Sequence, residues 1–271
     1  MESRIVFLGT GAGKYVRSKQ IRATGGVVVQ AEGLSLHIDP GPGSLLMAKN
    51  CRINPRENNV ILISHNHIGH CNDVNALIDA MTYGGDDRQG ILVAAEAMIN
   101  GSDEEAPYLT KFHRNCLERV ISVKSGQRVG VNDIEIVALP SDHTEDSIGF
   151  KIMTKEFTLC YTGDTSYDKE IVESYKGADI MIFNVPYPSD KKPKDEKQLC
   201  SDDVVKIIEK VKPSLSIITH FSNDMIEADP IYEAREIQKK AGTQVIAAKD
   251  GMSINPAAYS AKSKQKSLKS F

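Results

Sequence analysis

The stretch Ser64-His65-Asn66-His67-Ile68-Gly69-His70-Cys71-Asn72-Asp73 constrains this chain more than any other, because it follows directly on the apolar run Val60-Ile61-Leu62-Ile63. Three of the seven histidines fall within six residues. A short run rich in β-branched side chains and bounded by polar residues predicts a buried strand, which puts the histidines on the loop leaving its end. Alternate residues of an extended backbone point the same way, so His65 and His67 can offer imidazoles to one ion while His70, after a turn, faces a neighbouring position. Neutral imidazole binds Zn, Fe, Ni or Cu, and it is neutral at cytosolic pH. A polar loop of solvated histidines is the alternative; the spacing, with further histidines at strand ends downstream, favours the metal.

Composition narrows what can surround such a loop. With 271 residues, 41% hydrophobic and 25% charged, the chain can bury a large core. No Pro/Ser-rich linker divides the interior, so one domain is expected over 1–255, followed by a tail over 256–271. That tail carries Lys262, Lys264, Lys266 and Lys269 without an acidic residue and is expected to be disordered, with a weak polyanion contact as the alternative. A net charge of −3 gives no general attraction to polyanions. RNA therefore stays open as a substrate without support from charge, and a homodimer stays open without any interface pattern. No apolar run approaches the ~20 residues of a membrane span, and Met1-Glu2-Ser3-Arg4 leads straight into a strand pattern rather than a signal peptide, so no membrane partner and a cytoplasmic location are expected. Five cysteines with no Cys-x-x-Cys pair agree with a reducing compartment and read as buried, unpaired thiols.

Taken in order, Arg4-Ile5-Val6-Phe7-Leu8 predicts a strand followed by the loop Gly9-Thr10-Gly11-Ala12-Gly13. Lys14 occupies the sixth position of a would-be G-x-G-x-x-G, so a phosphate cradle does not fit and close backbone approach is the better reading. Gly26-Val27-Val28-Val29-Gln30 and Leu34-Ser35-Leu36-His37-Ile38 predict a hairpin around Glu32-Gly33, with His37 structural rather than a ligand. Asp39-Pro40-Gly41-Pro42-Gly43 reads as a turn. Helices are expected over 73–81, 107–117 and 231–240, and another capped by Ser201. His143 and His220 stand at the ends of predicted strands, and Thr162-Gly163-Asp164-Thr165 follows a third. The segment 186–197 is charged and proline-rich; it reads as a solvated loop, with a lid over substrate as the alternative.

His65-Asn66-His67-Ile68-Gly69-His70 resembles the His-x-His-x-Asp-His loop of the metallo-β-lactamase superfamily, with Gly69 where the family has aspartate. Phe7-Leu8-Gly9-Thr10-Gly11 and Thr219-His220-Phe221-Ser222 are similar in style to its tRNase Z-like phosphodiesterases. The resemblance implies a four-layer αββα sandwich of the α/β class over residues 4 to 254. It implies His65, His67 and His143 on one metal and His70 and His220 on the other, with Asp164 shared and also catalytic together with His220. It places Asp39 beneath the loop, orienting the ligating imidazoles. Zinc, two ions per chain, is the default cofactor, and manganese or iron also suits a His/Asp shell. The implied activity is a hydrolase that uses a metal-bound hydroxide, with phosphodiester bonds the preferred substrate class and a small-molecule substrate the more general expectation. A thioesterase or lactonase on the same centre stays open. So does a catalytically impaired metal-binding protein, since Gly69 has no side chain to ligate with, and Cys71 or Asp73 could replace it only in a changed loop.

Overall fold

The computed structural model describes residues 2–101 and 106–260. The described residues form two compact units, one up to Lys124 together with Lys249–Ile254, the other Ser125–Ala248 together with the described residues from Asn255 on.

The first unit runs β1 (Arg4–Gly9), α1 (Gly13–Lys19), β2 (Thr24–Ala31), β3 (Leu34–Ile38), α2 (Ser44–Asn50), β4 (Val60–Ile63), α3 (Ile68–Cys71), α4 (Val74–Thr82), β5 (Ile91–Ala94), α5 (Glu96–Asn100), α6 (Lys111–Cys116) and β6 (Arg119–Ser122). These strands stand in sequence order in one sheet, with the short strand Ser253–Ile254 beside β1. Pairing is antiparallel up to β3 and parallel from β3 to β6. The predicted hairpin forms, and Glu32 and Gly33 both take left-handed backbone (φ 51 and 76), as a tight type I′ turn requires. All four residues of β4 are buried without exposure, which is why this parallel strand reads as an unbroken apolar run. On α4, Val74, Leu77, Ile78 and Met81 recur at helical spacing and join Ile61, Ile63 and Leu92 in one buried cluster. Each such side chain contributes about 1.5–3 kcal/mol by leaving water, so the helix that follows the histidine loop is firmly seated.

The second unit runs β7 (Arg128–Val131), β8 (Ile134–Pro140), β9 (Ile148–Met153), β10 (Thr158–Tyr161), α7 (Lys169–Ser174), β11 (Ile180–Asn184), α8 (Ser201–Val211), β12 (Leu215–Thr219), α9 (Asn223–Glu227), α10 (Pro230–Ala241) and β13 (Val245–Ala247). Again the strands are in sequence order: β7 to β10 are antiparallel and β10 to β13 parallel. Val204, Ile207 and Ile208 of α8 and Ala234 and Ile237 of α10 share a buried cluster with Met181, Phe183 and Ile218 of the sheet.

Some expectations need correction. The helix expected over 107–117 begins only at Lys111, where the Thr110 hydroxyl accepts the His113 N–H as a cap. The expected cap Ser201 is the first helical residue; Cys200 is the N-cap, and the Asp203 carboxylate accepts its N–H at 3.3 Å. Neither α1, which buries only Val16, nor β7, with Arg128 and Gly130 in four residues, has enough apolar periodicity to read from sequence. Residues 261–271 of the basic tail lie outside the described residues, but 256–260 are ordered. Pro256–Tyr259 forms a 3-10 turn capped by the Asn255 side chain, and the buried Ser260 hydroxyl donates to the Glu156 carbonyl. Proline at the first helical position presets that turn. No described helix is long and apolar enough to cross a membrane. The five cysteines are free thiols, four of them buried, and desolvation pushes Cys160 up to about 12.

Candidate metal centre

In the first unit the parallel neighbours β3 and β4 end on the same edge of the sheet, so the residues after them meet. Asp39 leaves β3 with left-handed backbone (φ 50), and its N–H donates to the Leu62 carbonyl at 2.8 Å. Its buried carboxylate then faces the start of the histidine loop. Oδ1 accepts the Ser64 N–H at 2.7 Å, while Oδ2 accepts the Ser64 hydroxyl at 2.7 Å and His70 Nδ1 at 2.9 Å.

These bonds set the imidazole tautomers. Because the Ser64 hydroxyl spends its one proton on Asp39, it can only accept from His65 Nδ1, 2.9 Å away. His65 therefore presents a bare Nε2, and His70, donating through Nδ1, does the same. His65 Nε2 and His67 Nδ1 converge to 3.0 Å, close to the ~3.3 Å between two nitrogens bound tetrahedrally to one zinc. His65 and His70 are buried and His67 is exposed. The described first unit thus brings together all four of its expected site residues.

In the second unit β8, β10, β11 and β12 all end at one edge, where they deliver His143, Asp164, Asn184 and His220. His143 Nδ1 donates to the Lys197 carbonyl at 2.9 Å and leaves Nε2 3.8 Å from Asp164 Oδ2. His220, at φ 64, places its own Nε2 3.3 Å from Asp164 Oδ1. The Asp164 carboxylate is held on both oxygens, by Asn184 Nδ2 on Oδ1 (2.7 Å) and Gln198 Nε2 on Oδ2 (2.9 Å). Its turn is stitched to the preceding loop, since the Ser141 hydroxyl donates to the Asp164 carbonyl and the Asp142 N–H to the Thr165 hydroxyl. Nearby, hydrogen bonds from Lys197 and Ser166 hold the Asp142 carboxyl below the usual carboxylate range.

From the sequence no role is read for Ser64, although it opens the histidine stretch, nor any for Asn184 or Gln198. Asn184 carries a weak signal, a polar residue closing the apolar run Ile180-Met181-Ile182-Phe183, whereas Gln198 in its charged segment carries none. That segment is anchored at its end, through Lys197, Gln198 and a bridge between Tyr187 and Cys200, rather than solvated throughout. The two candidate replacements for the missing aspartate are engaged elsewhere. Cys71 Sγ has the carbonyls of Asn66 and His67 in hydrogen-bond reach of its single proton, and the Asp73 carboxylate accepts the Ser44 N–H and the Asn72 amide.

A Cβ placed on Gly69 would lie 3.1 Å from Arg17 Nη1, a tight contact that the end of that flexible side chain can relieve by shifting a few tenths of an ångström. The φ of Gly69 is not left-handed, so the position can carry a side chain once Arg17 gives way. Gly41 differs, because a Cβ there would lie 2.0 Å from the Gly69 carbonyl oxygen and 2.3 Å from that of Thr24. The Pro/Gly turn is thus pressed against the backbone of the metal loop. The close approach expected of the first glycine loop also holds, with a Cβ on Gly9 falling 2.3 Å from the Gly25 nitrogen.

A profile of the beta-lactamase superfamily domain matches residues 35–221, a span that contains Asp39, the histidine loop, His143, Asp164, Asn184, Gln198 and His220. The chain belongs to the β-lactamase superfamily. An uncharacterized protein of Methanocaldococcus jannaschii is 30% identical over 257 residues, covering 94% of this chain and 95% of that protein. Ribonuclease Z of Saccharolobus solfataricus is 22% identical, covering 81% of this chain and 88% of that enzyme. Among solved structures, the metallo-beta-lactamase fold protein YhfI of Bacillus subtilis superposes with a TM-score of 0.79 at 19% identity, covering 94% of this chain and 99% of its own. The fold is accordingly the metallo-β-lactamase fold, an α/β arrangement of two mixed sheets flanked by helices. Superfamily members are metallo-hydrolases, and the fold implies a divalent metal. The donor set fits one: bare Nε2 atoms on His65 and His70, His67 Nδ1 converging on the first, and a carboxylate whose two oxygens are oriented by amides.

Proposed function

We propose that this chain is a metal-dependent hydrolase acting on phosphodiester bonds. The observation that carries the reading is the bond chain from Asp39 through Ser64 to His65, and from Asp39 to His70, which leaves both rings in the tautomer that ligates. Its likeness to ribonuclease Z supports the substrate class. His65, His67 and His143 would hold one ion, His70 and His220 the other, and Asp164 both; this assignment rests on the family pattern. Zinc ions so held would supply Lewis acidity and a water activated near neutral pH. The protein's own part is to keep imidazole protons off the ligating nitrogens and to fix the Asp164 carboxylate through Asn184 and Gln198. We also place the protein in the cytoplasm, a reading supported by its five free thiols.

The test is hydrolysis of bis(p-nitrophenyl) phosphate by protein loaded with zinc or manganese, beside p-nitrophenyl acetate and an acyl thioester, with metal content measured by elemental analysis. Phosphodiester turnover that disappears on chelation is the expected result. Turnover of the ester or thioester alone would move the substrate class to those acyl compounds. Gly69→Asp runs in parallel, since the one outside atom near that position is the end of the flexible Arg17 side chain, which can shift to admit it. If neither form hydrolyses any of the three compounds, the hydrolase reading fails.

A further inference from the structure

Gly69 departs from the family's loop pattern, and Arg17 is the side chain that faces it. Where the superfamily has an acidic side chain, this chain has none, and the one atom within 4 Å of a Cβ placed there, beyond the adjoining residues, is a guanidinium nitrogen. A cation thus lies beside the place where the pattern has a carboxylate. Arg17 lies on α1, half-buried, within a segment that also carries Lys14, Lys19 and Arg22, and no Asp or Glu occurs between Arg4 and Ala31. Arg22 of that segment is already committed, donating to the Thr10 hydroxyl at 3.0 Å, which in turn donates to Asp250 at 2.7 Å. Among the described residues the Arg17 guanidinium has neither a hydrogen bond nor an ion pair. A planar, always-charged group with five donors, next to open space beside His70, is suited to grip an oxyanion by paired bonds.

We propose that Arg17 binds a phosphoryl oxygen of the substrate beside the histidine loop, in the space that Gly69 leaves open. This rests on the phosphodiesterase reading and adds a specificity-determining residue to it. An acidic side chain at residue 69 would pair with the guanidinium and close that space, which gives the glycine a use beyond a lost ligand. The same cation discriminates against neutral esters and thioesters, which offer no anionic oxygen to it.

The test measures binding of inorganic phosphate to the metal-loaded protein by titration calorimetry, for wild type, Arg17→Met and Arg17→Lys, with metal content and melting temperature recorded for each. The expected result is that Arg17→Met weakens phosphate binding about tenfold, the loss of a charge-assisted bond, and that Arg17→Lys recovers part of it, with metal content unchanged. Phosphate affinity in Arg17→Met within about twofold of wild type would overturn the proposal, since a charged contact of this kind should not be silent. A wild type that binds no phosphate, or a variant that loses phosphate only together with its metal, would overturn it equally. The two readings fail separately. Arg17-dependent phosphate binding without turnover of any compound sinks the hydrolase, while phosphodiester turnover with Arg17-independent binding sinks only the role of Arg17.

Discussion

Asp39 shows how much one side chain can decide. Its left-handed backbone is a conformation aspartate tolerates better than most residues, and it aims the carboxylate at Ser64 and His70 together. Asp39→Asn tests the consequence. If the amide oxygen keeps the Ser64 N–H, the new NH2 faces the Ser64 hydroxyl and His70 Nδ1, where two acceptor bonds had been. Ser64 must then donate to His65 Nδ1, so both histidines carry their proton on the nitrogen that should ligate. Zinc affinity, read by competition with a chromophoric chelator, should fall by about 10–100-fold; an unchanged affinity would show that the relay does not set the tautomers. The sequence supplied the positions of Asp39 and the three histidines, because a dense motif on consecutive residues is legible without structure. Ser64 was invisible, since a serine after a strand is commonplace and only its 2.7 and 2.9 Å contacts give it a role.

At the scale of elements, the site depends on where strands stop. Parallel neighbours end on one edge, so His143, Asp164, Asn184 and His220, spread over nearly eighty residues of sequence, share that edge in the second unit. Sequence patterns located most of these strand ends, because each buried strand is an apolar run that a polar residue terminates. They did not reveal that the charged segment after β11 returns to the site. There Gln198 donates to Asp164 and the Lys197 carbonyl accepts a hydrogen bond from His143 Nδ1. Gln198→Ala removes one of the two bonds that orient the carboxylate and leaves the Asn184 bond in place. Zinc affinity should drop about tenfold with little change in melting temperature, the behaviour of an outer partner to a ligand; a melting temperature that falls while zinc affinity holds would make Gln198 a purely structural residue.

For the whole molecule, pH offers a readout of burial. His37 is buried on β3, with Nε2 on the Gly25 carbonyl at 2.8 Å, so desolvation lowers its pKa to about 4 despite that bond. The unfolded chain titrates near the ordinary ~6.5. Between these values the unfolded chain takes up a proton that the folded chain refuses, so stability falls as the pH drops through that window. The loss from this group should be about 2 kcal/mol between pH 7 and pH 5. His37→Gln, whose amide can still donate to Gly25, should lose correspondingly less over the same interval in chemical denaturation. Equal losses in the two proteins would assign the acid sensitivity to other groups.

The amino-acid sequence alone determined the strand that carries the histidine loop and the strand ends at His143 and His220. Such features are local, written in runs, spacing and residue type. Through the resemblance of that loop to a family pattern, it also implied the α/β class, the ligand candidates and the missing aspartate. Tertiary structure alone decided which proton each imidazole carries, that Asn184 and Gln198 hold Asp164, that Cys71 and Asp73 are committed elsewhere, and that Arg17 borders the space at Gly69. Each is a contact between residues distant in sequence or a choice among hydrogen-bond partners, and neither hydrophobic period nor composition encodes those.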